Sequence, residues 1–160
     1  MAKQVNLNVT SPLEMVFRKS VPLASEETIR NGQWFELDND GSAVLSVSDP
    51  AAIMLRYIAF NDYLSPDVSG TLPDGTSVST GGMTGLIGTF EANVTSNAYT
   101  DNGIVAGSEL TVENGKLTAA DEYDVVWGIA KAAIGADGLL FFTGSSGVML
   151  YVGAIGQQRK

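Results

Sequence analysis

Two stretches of this chain carry the same pattern of residues. The first is residues 29–41, IRNGQWFELDNDG, and the second is residues 104–115, IVAGSELTVENG. In each, an isoleucine is followed three positions later by a glycine, and a short strand-like stretch then runs into an Asx-Gly dipeptide. Asx-Gly after a strand is typical of a β-hairpin turn. The sequence therefore predicts a repeated strand–turn–strand unit, although unrelated hairpins also look alike because they share this turn chemistry.

Apolar and alternating segments follow each copy of this pattern. Residues 53–60 form an apolar run rich in isoleucine and aromatic residues, which favours a buried strand over a short helix. Residues 86–95 alternate apolar or small residues with polar ones, which predicts a half-exposed strand. Further strands are expected in the second copy at residues 125–134, 139–142 and 148–152, separated by glycine-containing turns.

The spacing of these elements predicts the fold class and the domain organisation. With 18 glycines and frequent turns, the chain is expected to be all-β, a small barrel or sandwich of short antiparallel strands. A length of 160 residues fits one such domain. We assign residues 1–28 to an extended N-terminal arm and residues 29–160 to the β domain. Residues 61–82, which contain a Pro-Asp-Gly turn, are predicted to be a long inserted loop.

The N-terminal arm shows strand-like alternation without a neighbouring partner strand. Its apolar positions are Val5, Leu7, Val9, Leu13, Met15 and Phe17. Pro12 interrupts the alternation, and no Asx-Gly turn closes the two halves into a hairpin. We expect the arm to bind a partner protein by adding a strand to it, so that these six side chains set the register. The alternative is an ordinary edge strand of the same domain.

Composition narrows the classes of function. Only 17% of residues are charged while 44% are hydrophobic, which favours surface buried in an oligomer. The net charge is −9 and the nine lysines and arginines are scattered, which argues against nucleic acid and anionic membranes as partners. The start of the chain shows no secretion signal, and no apolar run reaches the length of a membrane span. We therefore expect the protein to be made in the cytoplasm.

Motifs that carry chemistry are incomplete. The chain contains neither cysteine nor histidine, which removes the usual zinc ligands and the usual bases of nucleophilic catalysis. Residues 36–41 resemble the start of a calcium loop, but Val47 stands where a bidentate glutamate is needed, so a hairpin turn is the better interpretation. Asp121, Glu122 and Asp124 are close in sequence and are expected at a solvated edge. We expect no enzymatic activity, no cofactor and no bound metal.

The second copy and the residues after it contain a recognisable series of short motifs. The series comprises residues 104–108, 110–117, 119–120, 125–130 and 137–140, and it includes Val-Trp-Gly-Ile-Ala before the last hairpin. This series resembles the sequences of the small β proteins that decorate, or cement, the heads of tailed bacteriophages. The resemblance covers residues 104–152, and the loop at residues 61–82 has no counterpart in it.

The resemblance implies a non-enzymatic structural protein of the virion. Such proteins sit on the outer surface of the capsid, often as trimers, and clamp neighbouring major capsid subunits against the pressure of packaged DNA. The implied partners are therefore the major capsid protein and further copies of this chain. The implied location is the capsid surface, after synthesis in the host cytoplasm.

Other functions remain open at this stage. A phage tail or baseplate β-domain has the same composition. A carbohydrate-binding module is a further possibility, with Trp34, Tyr57, Tyr63 and Tyr99 as stacking platforms, although core or trimer contacts explain these aromatic residues better. A hydrolase that uses carboxylates is the weakest alternative.

Oligomerisation gives the first testable prediction. The low charge and high apolar content predict a trimer, because association buries apolar surface worth roughly 25 cal/mol per Å². Sedimentation velocity at micromolar protein should show a species of about three times the 16.8 kDa mass of the chain. A single boundary at the monomer mass would contradict the prediction.

Overall fold

The computed structural model describes residues 7–10, 17–22, 29–60, 69–71, 77–79, 82–148 and 150–152. Within this part of the chain there are fourteen strands and no helix. The strands are β1 (Leu7–Val9), β2 (Phe17–Pro22), β3 (Trp34–Leu37), β4 (Ala43–Leu45), β5 (Tyr57–Ile58), β6 (Ser69–Thr71), β7 (Ser77–Ser79), β8 (Gly82–Val94), β9 (Glu109–Glu113), β10 (Lys116–Ala119), β11 (Val125–Val126), β12 (Gly128–Ala130), β13 (Leu140–Ser146) and β14 (Tyr151–Val152).

The strands form one large sheet and three smaller ones. The large sheet has seven strands, in the order β1-β8-β13-β12-β9-β10 with β2 also paired to β8. A three-stranded sheet has the order β4-β3-β5, and two pairs, β6-β7 and β11-β14, complete the set. Every pairing between these strands is antiparallel. The prediction of an all-β fold of short antiparallel strands is thus confirmed.

The repeat predicted from the sequence is present in the strand pairing. β3 forms a hairpin with β4 and pairs with β5 through its other edge, and β9 does the same with β10 and β12. In the first unit, Phe35 lies opposite Tyr57; in the second, the equivalent Leu110 lies opposite Gly128. The two sequence stretches therefore build the same three-stranded arrangement, with the same register between the first and third strands. The hairpin turns differ, because residues 38–42 form the first and residues 114–115 the second.

Backbone hydrogen bonds at the start of each unit also match. The amide of Gly32 donates to the carbonyl of Ala59 at 2.8 Å, and the amide of Gly107 donates to the carbonyl of Ala130 at 2.8 Å. Both glycines have positive φ, +92° and +87°, a conformation that side chains disfavour. The shared Ile-x-x-Gly pattern thus encodes the turn that leads into the first strand of each unit.

The last strand of each unit differs in its connection. β12 is followed by a nine-residue connection, residues 131–139, and then by β13, its antiparallel partner. In the first unit, residues 59–81 separate β5 from β8 and contain the β6-β7 hairpin, and a bridge joins Ala59, which follows β5, to Gly85 of β8. The loop predicted at residues 61–82 thus corresponds to the nine-residue connection of the second unit. Of its described residues, 69–71 and 77–79 form the hairpin and Gly82 begins β8.

The three-stranded sheet is buried on both faces. Trp34 and Ile58 belong to the main core, together with apolar side chains of β8, β9, β10 and β13. Phe35 and Tyr57, the next residues along these strands, belong to a second core cluster with Met83. Because successive side chains of a strand point to opposite faces, the small sheet packs between these two clusters in a sandwich-like arrangement.

The tip of the second hairpin docks against the first. The amide of Trp34 donates to the carbonyl of Gly115, and the amide of Gly115 donates to the carbonyl of Ser46, each at 2.8 Å. A Cβ atom at position 115 would lie 2.4 Å from Leu45 Cδ1. This close approach and the left-handed φ of +76° both favour glycine, so the Asn-Gly turn at residues 114–115 serves both the hairpin and the contact between the units.

Two local predictions need correction. Residues 53–60 do not form a continuous buried strand, since only Tyr57–Ile58 is a strand and Ile53 is 71% exposed. Residues 125–134 form two short strands that break at Trp127 and end at Ala130. In both places only part of the apolar run forms strand, and the remaining residues lie in loops. The hydrophobic pattern alone does not reveal where the strand ends.

The N-terminal segment pairs with β8 wherever it is described. β1 pairs with residues 92–94 and β2 with residues 82–87, both antiparallel. Leu7 is 6% exposed and belongs to the main core, Val9 packs against that core, and Phe17 lies opposite Ile87. Val5, Leu13 and Met15, the other predicted arm positions, lie outside the described residues. This placement matches the edge-strand alternative, and binding of a partner by the segment stays a prediction.

Leu7 distinguishes an edge strand from a detachable arm. Leu7→Ala should lower the free energy of unfolding by about 2–3 kcal/mol, because it leaves a cavity in a packed core. Leu55→Ala is the matched control: Leu55 is 56% exposed, and the same truncation there should change stability by less than about 0.5 kcal/mol. Urea denaturation of both variants measures the difference. Equal midpoints would show that the segment is not part of the core.

Candidate functional site

A buried arginine organises one side of the molecule. Arg56 is fully buried, and its Nε donates to the hydroxyl of Ser46 at 2.8 Å. Its Nη2 donates to the carbonyl of Asp49 at 2.8 Å, and longer bonds of 3.4 Å reach the carbonyls of Ser48 and Ala52. The guanidinium therefore holds the backbone of the loop that precedes it, residues 47–55, which we call the Arg56 loop.

The negative charge that accompanies Arg56 is also buried. Glu36 is 7% exposed and accepts hydrogen bonds from the hydroxyls of Ser46 at 3.0 Å and Ser48 at 2.6 Å. Ser46 thus lies between the carboxylate and the guanidinium. Burial lowers the pKa of Arg56, while Glu36, Asp49 and Asp124 oppose the shift. The guanidinium carbon also lies 5.9 Å from the centre of the Trp127 ring, within cation–π range.

The Arg56 loop turns apolar side chains to solvent. Val47, Ile53 and Leu55 are 62%, 71% and 56% exposed. Single exposed aliphatic residues are ordinary, but three within one short loop make the loop a candidate contact surface for another protein. The internal bonds of Arg56 keep the backbone of the loop in place while these side chains project outward.

An acidic cleft of about 240 Å³ lies beside this loop. Four carboxylate residues line it, Asp49 from the Arg56 loop, Glu113 from the end of β9, and Asp121 and Asp124 from the turn before β11. None of the described lining residues is a lysine or an arginine. We call this feature the acidic cleft.

The floor of the acidic cleft is the outer face of the β9-β10 hairpin. Leu110 and Val112 point into the main core, so Thr111 between them points to the opposite face, and Thr118 lies directly across from it on β10. Both threonines line the cleft. Thr111 is 1% exposed, and its hydroxyl has no hydrogen-bond partner among the described residues. A buried hydroxyl without a partner is costly and uncommon in folded proteins.

The turn at residues 121–124 forms one wall of the cleft. The amide of Asp121 donates to the carboxylate of Asp124 at 2.9 Å, which fixes that side chain. Between them, Tyr123 has a φ of +74°, a left-handed conformation rare for a large side chain, and is 59% exposed. Burial raises the pKa of Asp124, with added repulsion from Asp121 and Asp49, against the Asp121 backbone amide and Arg56. The cleft therefore concentrates negative charge.

The sequence-based candidates occupy other places. Trp34, Tyr57 and Tyr99 are buried, at 0%, 5% and 8% exposure, so they offer no stacking surface for a sugar. Tyr63 lies outside the described residues. The carboxylate of Asp38 caps its own hairpin turn, accepting from the amides of Asp40 and Ser42 at 2.9 Å. In the described part of the chain, no three acidic side chains converge closely enough to hold a metal ion.

Sequence reasoning found only part of the acidic cleft. Asp121 and Asp124 were noted as a carboxylate cluster, and both line it, whereas Glu122 does not. Asp49 and Thr111 were missed because nothing local marks them: the cleft forms only where the Arg56 loop meets the second hairpin. Arg56 itself was detectable, since one charge inside an apolar run often marks a buried and fully bonded ion.

Comparison with known proteins identifies no relative. A scan against protein-family models, a search of curated proteins and a search of solved structures each found no match. Over the residues that the structure describes, no helix has the length and apolar character needed to cross a membrane.

The raised pKa of Asp124 predicts a pH-dependent stability. In the folded protein this carboxyl binds its proton more tightly than in the unfolded chain. Below both pKa values the carboxyl is protonated in both states, so it does not lower the free energy of unfolding. As the pH rises from the ordinary pKa through the raised one, the contribution of Asp124 lowers that free energy. Asp124→Asn removes the penalty and should raise Tm at neutral pH by about 1–2 °C, because a partly exposed charge is screened.

Thermal unfolding in acid and at neutral pH measures this effect. Asp137→Asn is the control, since Asp137 is an exposed aspartate that also accepts a backbone N–H, from Leu139 at 3.1 Å, and lies outside the cleft. A rise in Tm for Asp124→Asn that persists unchanged in acid would contradict the electrostatic explanation.

Proposed function

We propose that this chain is a non-enzymatic virion protein that binds the outer surface of a bacteriophage capsid and stabilises contacts between major capsid subunits. It acts as a homotrimer on the shell. The proposal rests on three exposed aliphatic side chains in one loop of the structure and on the resemblance of residues 104–152 to phage head decoration proteins.

The observation that carries the proposal is the apolar surface of the Arg56 loop. Val47, Ile53 and Leu55 together expose aliphatic surface on a backbone that a buried arginine holds in place. A pre-ordered loop loses little conformational entropy on binding, so the apolar contact contributes more fully to affinity. A decoration protein needs such a surface, because it must bind a preformed shell that offers no cavity to enclose it.

The residues that carry the resemblance support the same function. They span β9, β10 and β12 and reach the start of β13, which are neighbours in the large sheet, and they include β11, which pairs with β14 instead. Asn114-Gly115 and Asp137-Gly138 lie at turns, with positive φ at Asn114, Gly115 and Gly138. These strands and turns support the proposal, because the resemblance implies a small domain of short strands joined by such turns.

Capsid binding tests the proposal directly. The gene should lie beside genes for a major capsid protein, a scaffold or a head protease, and the neighbouring capsid gene supplies the binding partner. Expanded capsids made from that protein should pellet with the wild-type chain. Replacing Val47, Ile53 and Leu55 together by serine should weaken this co-sedimentation by about tenfold or more, because a few buried anchors dominate interface energies.

A matched control uses exposed valines elsewhere. Val105 and Val148 are each 58% exposed and lie outside the Arg56 loop, so their replacement by serine should leave capsid binding unchanged. Thermal unfolding of both variants verifies that they are folded. Failure of the wild-type chain to pellet with capsids would contradict the proposed function, and equal binding by both variants would exclude the Arg56 loop as the contact.

A further inference from the structure

The acidic cleft has two properties that the scaffold alone does not explain. It gathers the carboxylates of Asp49, Glu113, Asp121 and Asp124 around one depression without a lysine or arginine among its described lining residues. At its floor lies the hydroxyl of Thr111, 1% exposed and without a partner in the described part of the chain. The first property costs repulsion between like charges, and the second costs an unmade hydrogen bond.

We propose that the acidic cleft is a binding site for an organic cation, an alkylammonium or guanidinium group. Such a group offsets the carboxylate charge and donates a hydrogen bond to Thr111 in the same step. Ammonium carries three N–H donors and guanidinium five, and neither needs an acceptor. The site is independent of the proposed capsid role, because the isolated protein should show it.

The arrangement of the carboxylates selects against a metal ion. Divalent ions such as Ca²⁺ need six or more oxygen ligands at 2.3–2.6 Å, roughly, drawn in around one point. Among the described residues, no three acidic side chains approach each other in that way. Spread carboxylates instead suit a cation whose charge is delocalised or whose several N–H groups point in different directions.

The size of the cleft limits what enters it. Its volume of about 240 Å³ is below the roughly 300–1,000 Å³ of pockets for drug-sized ligands. A lysine or arginine side chain, or the end of a polyamine, is of suitable size. These two sources share one recognition chemistry, and the experiment distinguishes them.

The test uses the full-length ¹⁵N-labelled protein and two-dimensional NMR. The probes are the peptide Gly-Gly-Lys-Gly-Gly with its N-terminus acetylated and its C-terminus amidated, the same blocked peptide acetylated on the lysine as well, spermidine, and Ca²⁺. We expect saturable shifts of the amides of Thr111 and Asp124 with the unmodified peptide and with spermidine, weaker at high salt, and none with the acetylated peptide. Tighter binding of the peptide would assign the cleft to a side chain of a partner protein, and tighter binding of spermidine to a free polyamine.

Two variants separate binding from folding. Thr111→Val keeps the shape of the side chain and removes the unpartnered hydroxyl, so it should weaken binding of both amines by about tenfold while leaving Tm equal or higher. Asp124→Asn should weaken binding as well, with a neutral-pH Tm at or above that of wild type. The controls are Thr143→Val, in β13, and Asp137→Asn, both outside the cleft. These should bind like wild type.

Three results would overturn the proposal. One is the absence of saturable shifts with either amine. Another is binding by Thr111→Val and Asp124→Asn that equals wild type. The third is Ca²⁺ binding at the cleft that is tighter than amine binding and displaces the amine, which would identify a metal site instead.

Discussion

The burial of the Arg56 guanidinium constrains the Arg56 loop and the residues packed around it. A buried charge is tolerated only when its hydrogen bonds are made and an opposite charge is near. Arg56 meets both conditions through Ser46, backbone carbonyls of the Arg56 loop, and Glu36 beyond Ser46. These bonds hold the backbone of the loop in one conformation, in which its apolar side chains face solvent and Asp49 lines the acidic cleft. Replacement of Arg56 would leave Glu36 as a buried, uncompensated charge and the loop without its support.

The repeat explains why Arg56 lies where it does. Phe35 and Leu110 are equivalent positions of the two hairpins, so their partners Tyr57 and Gly128 are equivalent as well. The residues that precede these partners are Arg56 in the first unit and Trp127 in the second. They are equivalent positions in two copies, and the guanidinium carbon of Arg56 lies 5.9 Å from the centre of the Trp127 ring. The two units thus differ at this pair of equivalent positions, because the first supplies the cation of Arg56 and the second supplies the aromatic ring of Trp127.

The acidic cleft combines two unfavourable features. The hydroxyl of Thr111 is buried without a hydrogen-bond partner among the described residues, and burial with neighbouring carboxylates raises the pKa of Asp124. Natural sequences commonly depart from local consistency at functional sites, where stability is exchanged for binding. The indole N–H groups of Trp34 and Trp127 are also unpartnered among the described residues, but these side chains belong to the main core and do not line the acidic cleft.

The sequence by itself determined the fold class, the repeat and the turns, because Asx-Gly dipeptides and the Ile-x-x-Gly pattern specify local backbone conformations that need no distant partner. It also determined the face alternation of β8, since period-two burial is a property of a single strand. Tertiary structure alone decided which apolar runs stay exposed: residues 53–55 read as a buried strand, but the bonds of Arg56 hold them in a loop. It also decided that Leu7 enters the core and that Asp49 and Thr111 meet at one cleft. These outcomes depend on segments far apart in the chain, and a local pattern carries no information about which of them meet.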